Sequence, residues 1–117
     1  MRRIGAVALM VDGYDAGIDF YCRVMGFELV ADVSQDGKRW VAVRPPGAET
    51  ALVLAVGADG PRARVAYFLQ TDDHERDRAA MEAAGVLFEE ATRAEPYGRV
   101  AVWRDPFGNR WDLIEPA

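Results

Sequence analysis

The second half of this sequence repeats the pattern of the first half, at a shift of about sixty residues. The matching segments are Met10-Val11-Asp12 with Gln70-Thr71-Asp72, Gly26-Phe27 with Gly85-Val86, and Val41-Ala42-Val43 with Val100-Ala101-Val102. Two copies are too few for a solenoid but are typical of a duplicated supersecondary unit. The sequence therefore predicts a single α+β domain of two βαβββ modules, at about residues 1–57 and 62–117.

Hydrophobic periodicity predicts the elements of the first module. Apolar runs and alternation favour strands at residues 4–11, 28–34, 38–44 and 50–56. After the first strand, apolar residues recur at the spacing of a helix, at Ile18, Tyr21, Cys22 and Met25. Gly26 then supplies the left-handed stop that ends this helix.

The second module repeats this plan. Strands are predicted at residues 64–71, 87–92, 99–104 and 110–114. Asp72-Asp73 caps the intervening helix, and Gly85 ends it. A sheet that is covered by one helix leaves its other face bare, so each module is expected to curl around something.

Charge and composition exclude several classes of function. The net charge is −5 and no basic cluster occurs, so neither nucleic acid nor an anionic membrane surface is an expected partner. The single cysteine, Cys22, excludes an internal disulfide. No apolar run has transmembrane length, which predicts a cytoplasmic location. Lys38 is the one lysine among many arginines, a bias typical of a GC-rich bacterial genome.

A turn near the end of the chain leads directly into the last predicted strand. Its sequence is Asp105-Pro106-Phe107-Gly108-Asn109, and Gly108-Asn109 tolerates positive φ. In the strand that follows, alternation places Asp112 on one face and Trp111 on the other. A carboxylate in the middle of a largely apolar strand indicates a functional or electrostatic role.

This turn and strand resemble the C-terminal signature of the vicinal oxygen chelate superfamily, which includes glyoxalase I, bleomycin-resistance proteins and extradiol dioxygenases. The order of elements agrees with that resemblance from Ile4 to Glu115. The resemblance implies that the modules pair edge to edge into a curved sheet with a cup-shaped cleft for a small molecule. It also implies a homodimer.

The resemblance further implies four metal-ligand positions, one in the first and one in the last strand of each module. Carried over by register, these positions are Ala6, Leu54, Ala66 and Asp112. Only Asp112 has a donor side chain, whereas a divalent metal takes at least three protein or solvent donors. We therefore predict that the chain binds no metal and needs no other cofactor.

The candidate ligand-binding residues fall into two groups. Alternation places Leu54, Arg64, Phe68 and Arg110 on the cup face with Asp112, where an Arg–Asp ion pair is the alternative to ligand contact. Tyr97, Trp40 and Trp103 are candidates for an aromatic wall or a dimer seam. His74, the only histidine, lies in the first turn of a helix, where it is expected to face solvent without a function.

Two hypotheses of different class follow. The first is a metal-free homodimeric binding protein that sequesters a drug or metabolite in its cleft, like the bleomycin-resistance proteins that the chain resembles. The second is an enzyme of the lyase, isomerase or dioxygenase type, which either depends on a metal or uses Asp112 as its base. The missing donors argue against a metal-dependent enzyme, and the sequence leaves the metal-free enzyme open.

Overall fold

The computed structural model describes all 117 residues and has the predicted α+β class, with one sheet in each of two compact units. The units are Met1–Gly60 and Pro61–Ala117. None of the helices has the length and apolar character needed to cross a membrane.

In the first unit, four strands form a sheet in the order β1-β4-β3-β2. These strands are β1 (Ala6–Val11), β2 (Glu28–Gln35), β3 (Lys38–Arg44) and β4 (Ala51–Val56). Strand β1 runs parallel to β4, and the other pairs are antiparallel. The helix α1 (Tyr14–Ile18) continues as a π-helical segment over Asp19–Val24. The sequence did not predict this π-helical segment. At its end the Met25 N–H donates to the carbonyl oxygen of Phe20, five residues earlier, at 2.9 Å.

The helix of the first unit packs on the face of the sheet that carries Leu9, Val11 and Leu54. A Cβ atom added at Gly17 would lie 2.8 Å from Cδ1 of Leu54, so glycine lets the helix approach the sheet without displacing that side chain. Leu9 and Leu54 are register partners across the parallel pair, and both are buried. The core of this unit therefore lies between the helix and that face.

The second unit contains β5 (Val65–Gln70), α2 (His74–Ala83), β6 (Leu87–Phe88), β7 (Arg93–Glu95), β8 (Gly98–Arg104) and β9 (Arg110–Pro116). The strands follow the order β5-β9-β8-β6, and β7 also pairs with β8. Strand β5 is parallel to β9, as β1 is to β4. Each unit thus has a parallel pair formed by its first and last strands.

The strand predicted at residues 87–92 is wrong, because two short strands, β6 and β7, replace it. Glu89 still donates its backbone N–H to the Val102 carbonyl oxygen. At the next position, however, the Val102 N–H donates to the side-chain carboxylate of Glu90, at 2.9 Å. A side chain takes the place of a backbone carbonyl here, so the ladder is interrupted.

Candidate functional site

The sheet of the second unit has one face that packs against α2 and one that does not. The Arg78 guanidinium of α2 lies 4.3 Å from the ring centroid of Phe88, and Phe88 is the register partner of Trp103. Trp103 and its partner Trp111 therefore lie on the helix-covered face. We call the opposite face, which carries Phe68, Val102 and Asp112, the open face of the second sheet.

Asp112 lies in the middle of the open face. Its register partners are Phe68 on the parallel strand β5 and Val102 on the antiparallel strand β8. The Phe68 side chain is 65% exposed, whereas Asp112 is only 8% exposed. An accessible aromatic ring thus stands beside a buried carboxylate, on neighbouring strands of one sheet.

The carboxylate of Asp112 is incompletely satisfied. Its Oδ1 atom is buried and has no hydrogen-bond partner. Burial raises the pKa of Asp112 above its ordinary value, and the negative charge of Glu90 acts in the same direction. The positive charge of Arg93, the Ala101 backbone amide and, to a smaller extent, His74 oppose this rise. Asp112 therefore holds a proton more tightly than an exposed aspartate does.

The ion pair predicted between Asp112 and Arg64 or Arg110 is wrong. Arg110 instead donates to the Glu89 carboxylate at 2.9 Å and to the Ala63 carbonyl oxygen at 3.2 Å. Arg64 is exposed and forms no ion pair. The charge of Asp112 is consequently not neutralised by either arginine.

Sequence reasoning missed the charged group next to Asp112, formed by Glu90, Arg93 and Glu95. Arg93 donates to Glu90 at 3.0 Å and to Glu95 at 2.7 Å. It is also the register partner of Val100, which lies on the open face two residues before Val102. The only available signal was the density of charge at residues 89–95, which the prediction of a continuous strand concealed.

The predicted aromatic wall divides into exposed and buried members. Tyr97 and Trp40 are 56% and 55% exposed, so both are accessible to a ligand or to another protein. Trp103 is fully buried and stacks on Trp111, with ring centroids 5.0 Å apart. The assignment of Trp103 to a ligand-facing wall is therefore wrong, because it belongs to the core under α2.

In the first unit, Trp40 and Leu54 lie on opposite faces of the sheet. Trp40 shares its face with Ala42, whose register partner Val53 is also the partner of Ala8. This is the open face of the first sheet. Leu54 lies on the helix-covered face and is 2% exposed, so the prediction that it faces the cup with Ala6 is wrong.

His74 is not the solvent-facing residue that the sequence predicted. It is 1% exposed, and its backbone N–H donates to the Glu115 carboxylate at 2.7 Å. Arg99, which lines a cleft with His74, is on the helix-covered side of the sheet next to α2. His74 is therefore buried, but on the side of the sheet that is remote from the open face.

The residues of the chain do not fit the metal site that the family resemblance implies. At the implied positions Ala6 and Ala66 have no donor atoms, and Val53 and Ala55, which replace Leu54 on the open face of the first sheet, have none either. No group of three or more His, Cys, Asp or Glu side chains is placed to hold a metal ion. Asp112 alone supplies at most two of the donors that a divalent metal requires.

Comparison with known proteins supports the sequence resemblance. The model of the Glyoxalase/Bleomycin resistance protein/Dioxygenase superfamily matches residues 3–113. A protein of Shewanella frigidimarina is 39% identical in an alignment of 121 positions, which covers 93% of this chain and 90% of that protein.

Two solved structures from Streptomyces sp. CB03234 are similar over nearly their whole length. TnmS3, described as an antibiotic binding protein, is 32% identical with a TM-score of 0.89, covering 100% of this chain and 98% of that chain. A glyoxalase/bleomycin resistance protein is also 32% identical, with a TM-score of 0.81, covering 96% of this chain and 99% of that chain.

Proposed function

Because this chain belongs to the Glyoxalase/Bleomycin resistance protein/Dioxygenase superfamily, we propose that it binds a small, partly aromatic organic molecule without a metal. The observation that carries this proposal is the pairing of Phe68 with Asp112 on the open face of the second sheet. An exposed ring gives a stacking surface, and a buried polar atom beside it gives orientation.

The class of ligand is proposed from the relatives. TnmS3 is described as an antibiotic binding protein and covers the whole of this chain at 32% identity. We therefore propose that this chain sequesters an antibiotic or a related secondary metabolite. The absence of suitable metal donors at Ala6 and Ala66 supports sequestration over metal-dependent chemistry.

We also propose that the binding protein is a homodimer. The open faces carry large apolar side chains that are about half exposed or more, namely Val33, Trp40 and Phe68. Exposed apolar surface of this kind is typical of a face that another protein or a ligand covers. A second copy would cover these faces and give the cleft two walls, as the family resemblance implies.

A second candidate function is proton abstraction by Asp112 in a metal-free enzyme. Burial raises the pKa of Asp112, and a raised carboxylate pKa is what a general base near neutral pH needs. This candidate differs from sequestration in one respect that can be measured. A bound ligand would be recovered chemically altered after incubation with the wild type but unaltered after incubation with Asp112→Asn.

The binding function is tested with a panel of polycyclic aromatic compounds and an exposed-residue control. Phe68→Ala is expected to weaken binding by about tenfold, since an aromatic contact contributes about 1 kcal/mol beyond its buried area. Ile4→Ala removes a similarly exposed side chain near the N-terminus, before the first strand, and should leave affinity unchanged. Equal affinity of wild type and Phe68→Ala for every compound that binds would contradict the proposed site.

A further inference from the structure

The unpartnered oxygen of Asp112 is costly to the folded protein. A buried acceptor without a hydrogen bond destabilises a protein, and few such atoms occur in native structures. Asp112 Oδ1 is in this condition on a strand that has neighbours on both sides, β5 and β8. An uncompensated cost in the middle of the open face indicates an atom that is kept for a binding partner.

The nearby arginines do not supply that partner, because each is bound to another carboxylate. Arg93 donates to Glu90 and Glu95, and Arg110 donates to Glu89. Arg104 also lies within 3.4 Å of Glu89. The acceptor at Asp112 is thus left for a group from outside the chain.

From this arrangement we infer that Asp112 recognises a hydrogen-bond donor on the ligand, a hydroxyl or N–H group attached to an aromatic ring that lies against Phe68. This inference rests on the proposed binding function and defines the chemical class of the ligand. Adjacent strands are about 4.8 Å apart, so a substituent on a ring stacked over Phe68 reaches the neighbouring position on β9.

The same charges exclude an anionic ligand group at this position. Asp112 itself carries a negative charge, and the guanidinium of Arg93 is already bound to the carboxylates of Glu90 and Glu95. A carboxylate or phosphate on the ligand would meet like charge in a partly desolvated place. The ligand group near Asp112 is therefore neutral or cationic, and it is a donor.

Three naphthalene probes of similar shape test this inference at neutral pH: 2-naphthol, 2-methoxynaphthalene and 2-naphthoate. The wild type should bind 2-naphthol at least about tenfold more tightly than 2-methoxynaphthalene, which has no donor. It should bind 2-naphthoate most weakly of the three. Affinities are measured by titration with heteronuclear NMR detection, so that shifts at Phe68 report the site.

Three variants separate the roles of the oxygen atom and of the charge. In Asp112→Leu the preference for 2-naphthol should disappear. In Asp112→Asn, which keeps an acceptor oxygen, that preference should remain while 2-naphthoate binds more tightly. Asp59→Leu removes an exposed carboxylate near the end of the first unit and should behave as the wild type. If Asp112→Leu fails to fold, the role of Asp112 is still tested by the wild-type preference for 2-naphthol and by the affinity of Asp112→Asn for 2-naphthoate.

The outcomes distinguish failure of the inference from failure of the proposed function. Equal binding of the three probes to the wild type, weakened in each case by Phe68→Ala, would overturn the role of Asp112 and leave the binding function standing. A preference for 2-naphthol that persists in folded Asp112→Leu would do the same. No binding of any probe at millimolar concentration would contradict the binding function, and the inference would fall with it.

Discussion

Trp103 and Trp111 stack on the helix-covered face of the second sheet, with ring centroids 5.0 Å apart and ring planes at 17°. The strand that presents Asp112 on one face is thus fixed by Trp111 on the other. This aromatic pair is the main packing element beneath the candidate site, since Trp103 is fully buried and Tyr67 extends the stack.

Truncation of this stack should destabilise the fold. Trp103→Ala is expected to lower the free energy of unfolding by about 3–5 kcal/mol, because it leaves a cavity under α2. Phe68→Ala, on the open face of the same sheet, should lower it by less than about 1 kcal/mol. Urea unfolding of both variants at one protein concentration measures the difference, and equal stabilities would place Trp103 outside the core.

Replacement of Asp112 should affect stability in the opposite direction. Asp112→Asn is expected to raise the free energy of unfolding by about 1 kcal/mol near neutral pH, because it removes a buried charge that forms no ion pair. Affinity for 2-naphthol should fall in the same variant, because a neutral amide oxygen accepts a weaker hydrogen bond than a carboxylate does. A gain in stability with a loss of binding is the result expected of a residue kept for function.

The stability difference between Asp112→Asn and the wild type should depend on pH in one direction. Burial raises the pKa of Asp112 in the folded state, so the folded protein binds the proton more tightly than the unfolded chain does. The stability that this proton contributes is therefore fully present below the pKa of Asp112 in the unfolded chain, and it is lost as the pH rises through the higher pKa of the folded state. The advantage of Asp112→Asn over the wild type should grow across that range. An advantage that shrinks with rising pH would contradict the burial of Asp112.

The turn before β9 should depend on the carboxylate of Asp105. This buried side chain accepts hydrogen bonds from the Phe107 N–H, the Asn109 N–H and the Asn109 side-chain amide, at 3.0, 2.8 and 2.7 Å. Asp105→Ala is expected to destabilise the protein by about 3 kcal/mol, because buried donors lose their acceptor. Asp59→Ala serves as the control and should change stability by less than about 0.5 kcal/mol. Similar unfolding curves for the two variants would remove Asp105 from the account of the turn.

The proposed homodimer predicts a solution mass of twice the 12.9 kDa chain. Light scattering coupled to size-exclusion chromatography should give this mass across a wide range of concentration. Val33→Asp, which places a charge on the exposed apolar face of β2, should shift the protein towards the monomer. Ile4→Asp is the control and should not. A monomer throughout the range would contradict the dimer.

The sequence was sufficient for the pattern of elements, because the duplication, the alternation and the turn residues act locally. It was not sufficient to predict which face of a uniformly apolar strand packs against the helix. Strand β4 reads Ala-Leu-Val-Leu-Ala-Val, and nothing in it tells which face meets α1, so Leu54 was assigned to the wrong side. The contact with Gly17 decides this, and it exists only in the folded unit.

The hydrogen-bond and ion-pair partners of charged residues also could not be predicted from the sequence. Alternation placed Asp112 on one face with Arg110, but Arg110 is bound by Glu89, which directly follows the short strand β6. That strand ends because the Glu90 carboxylate replaces a backbone acceptor, which is a side-chain effect without a periodic signature. The burial of His74 depends in the same way on Glu115, which is 41 residues away.

The central claim is that the open face of the second sheet binds an aromatic ligand without a metal. It is tested most directly by titrating chelator-treated protein, shown to be metal-free by elemental analysis, with 2-naphthol under heteronuclear NMR detection. The account predicts saturable shifts at Phe68, Val102 and Asp112, while the buried indole N–H of Trp103 is unaffected. No saturable shifts on the open face, or shifts that arise only after zinc, nickel or manganese is added, would contradict it.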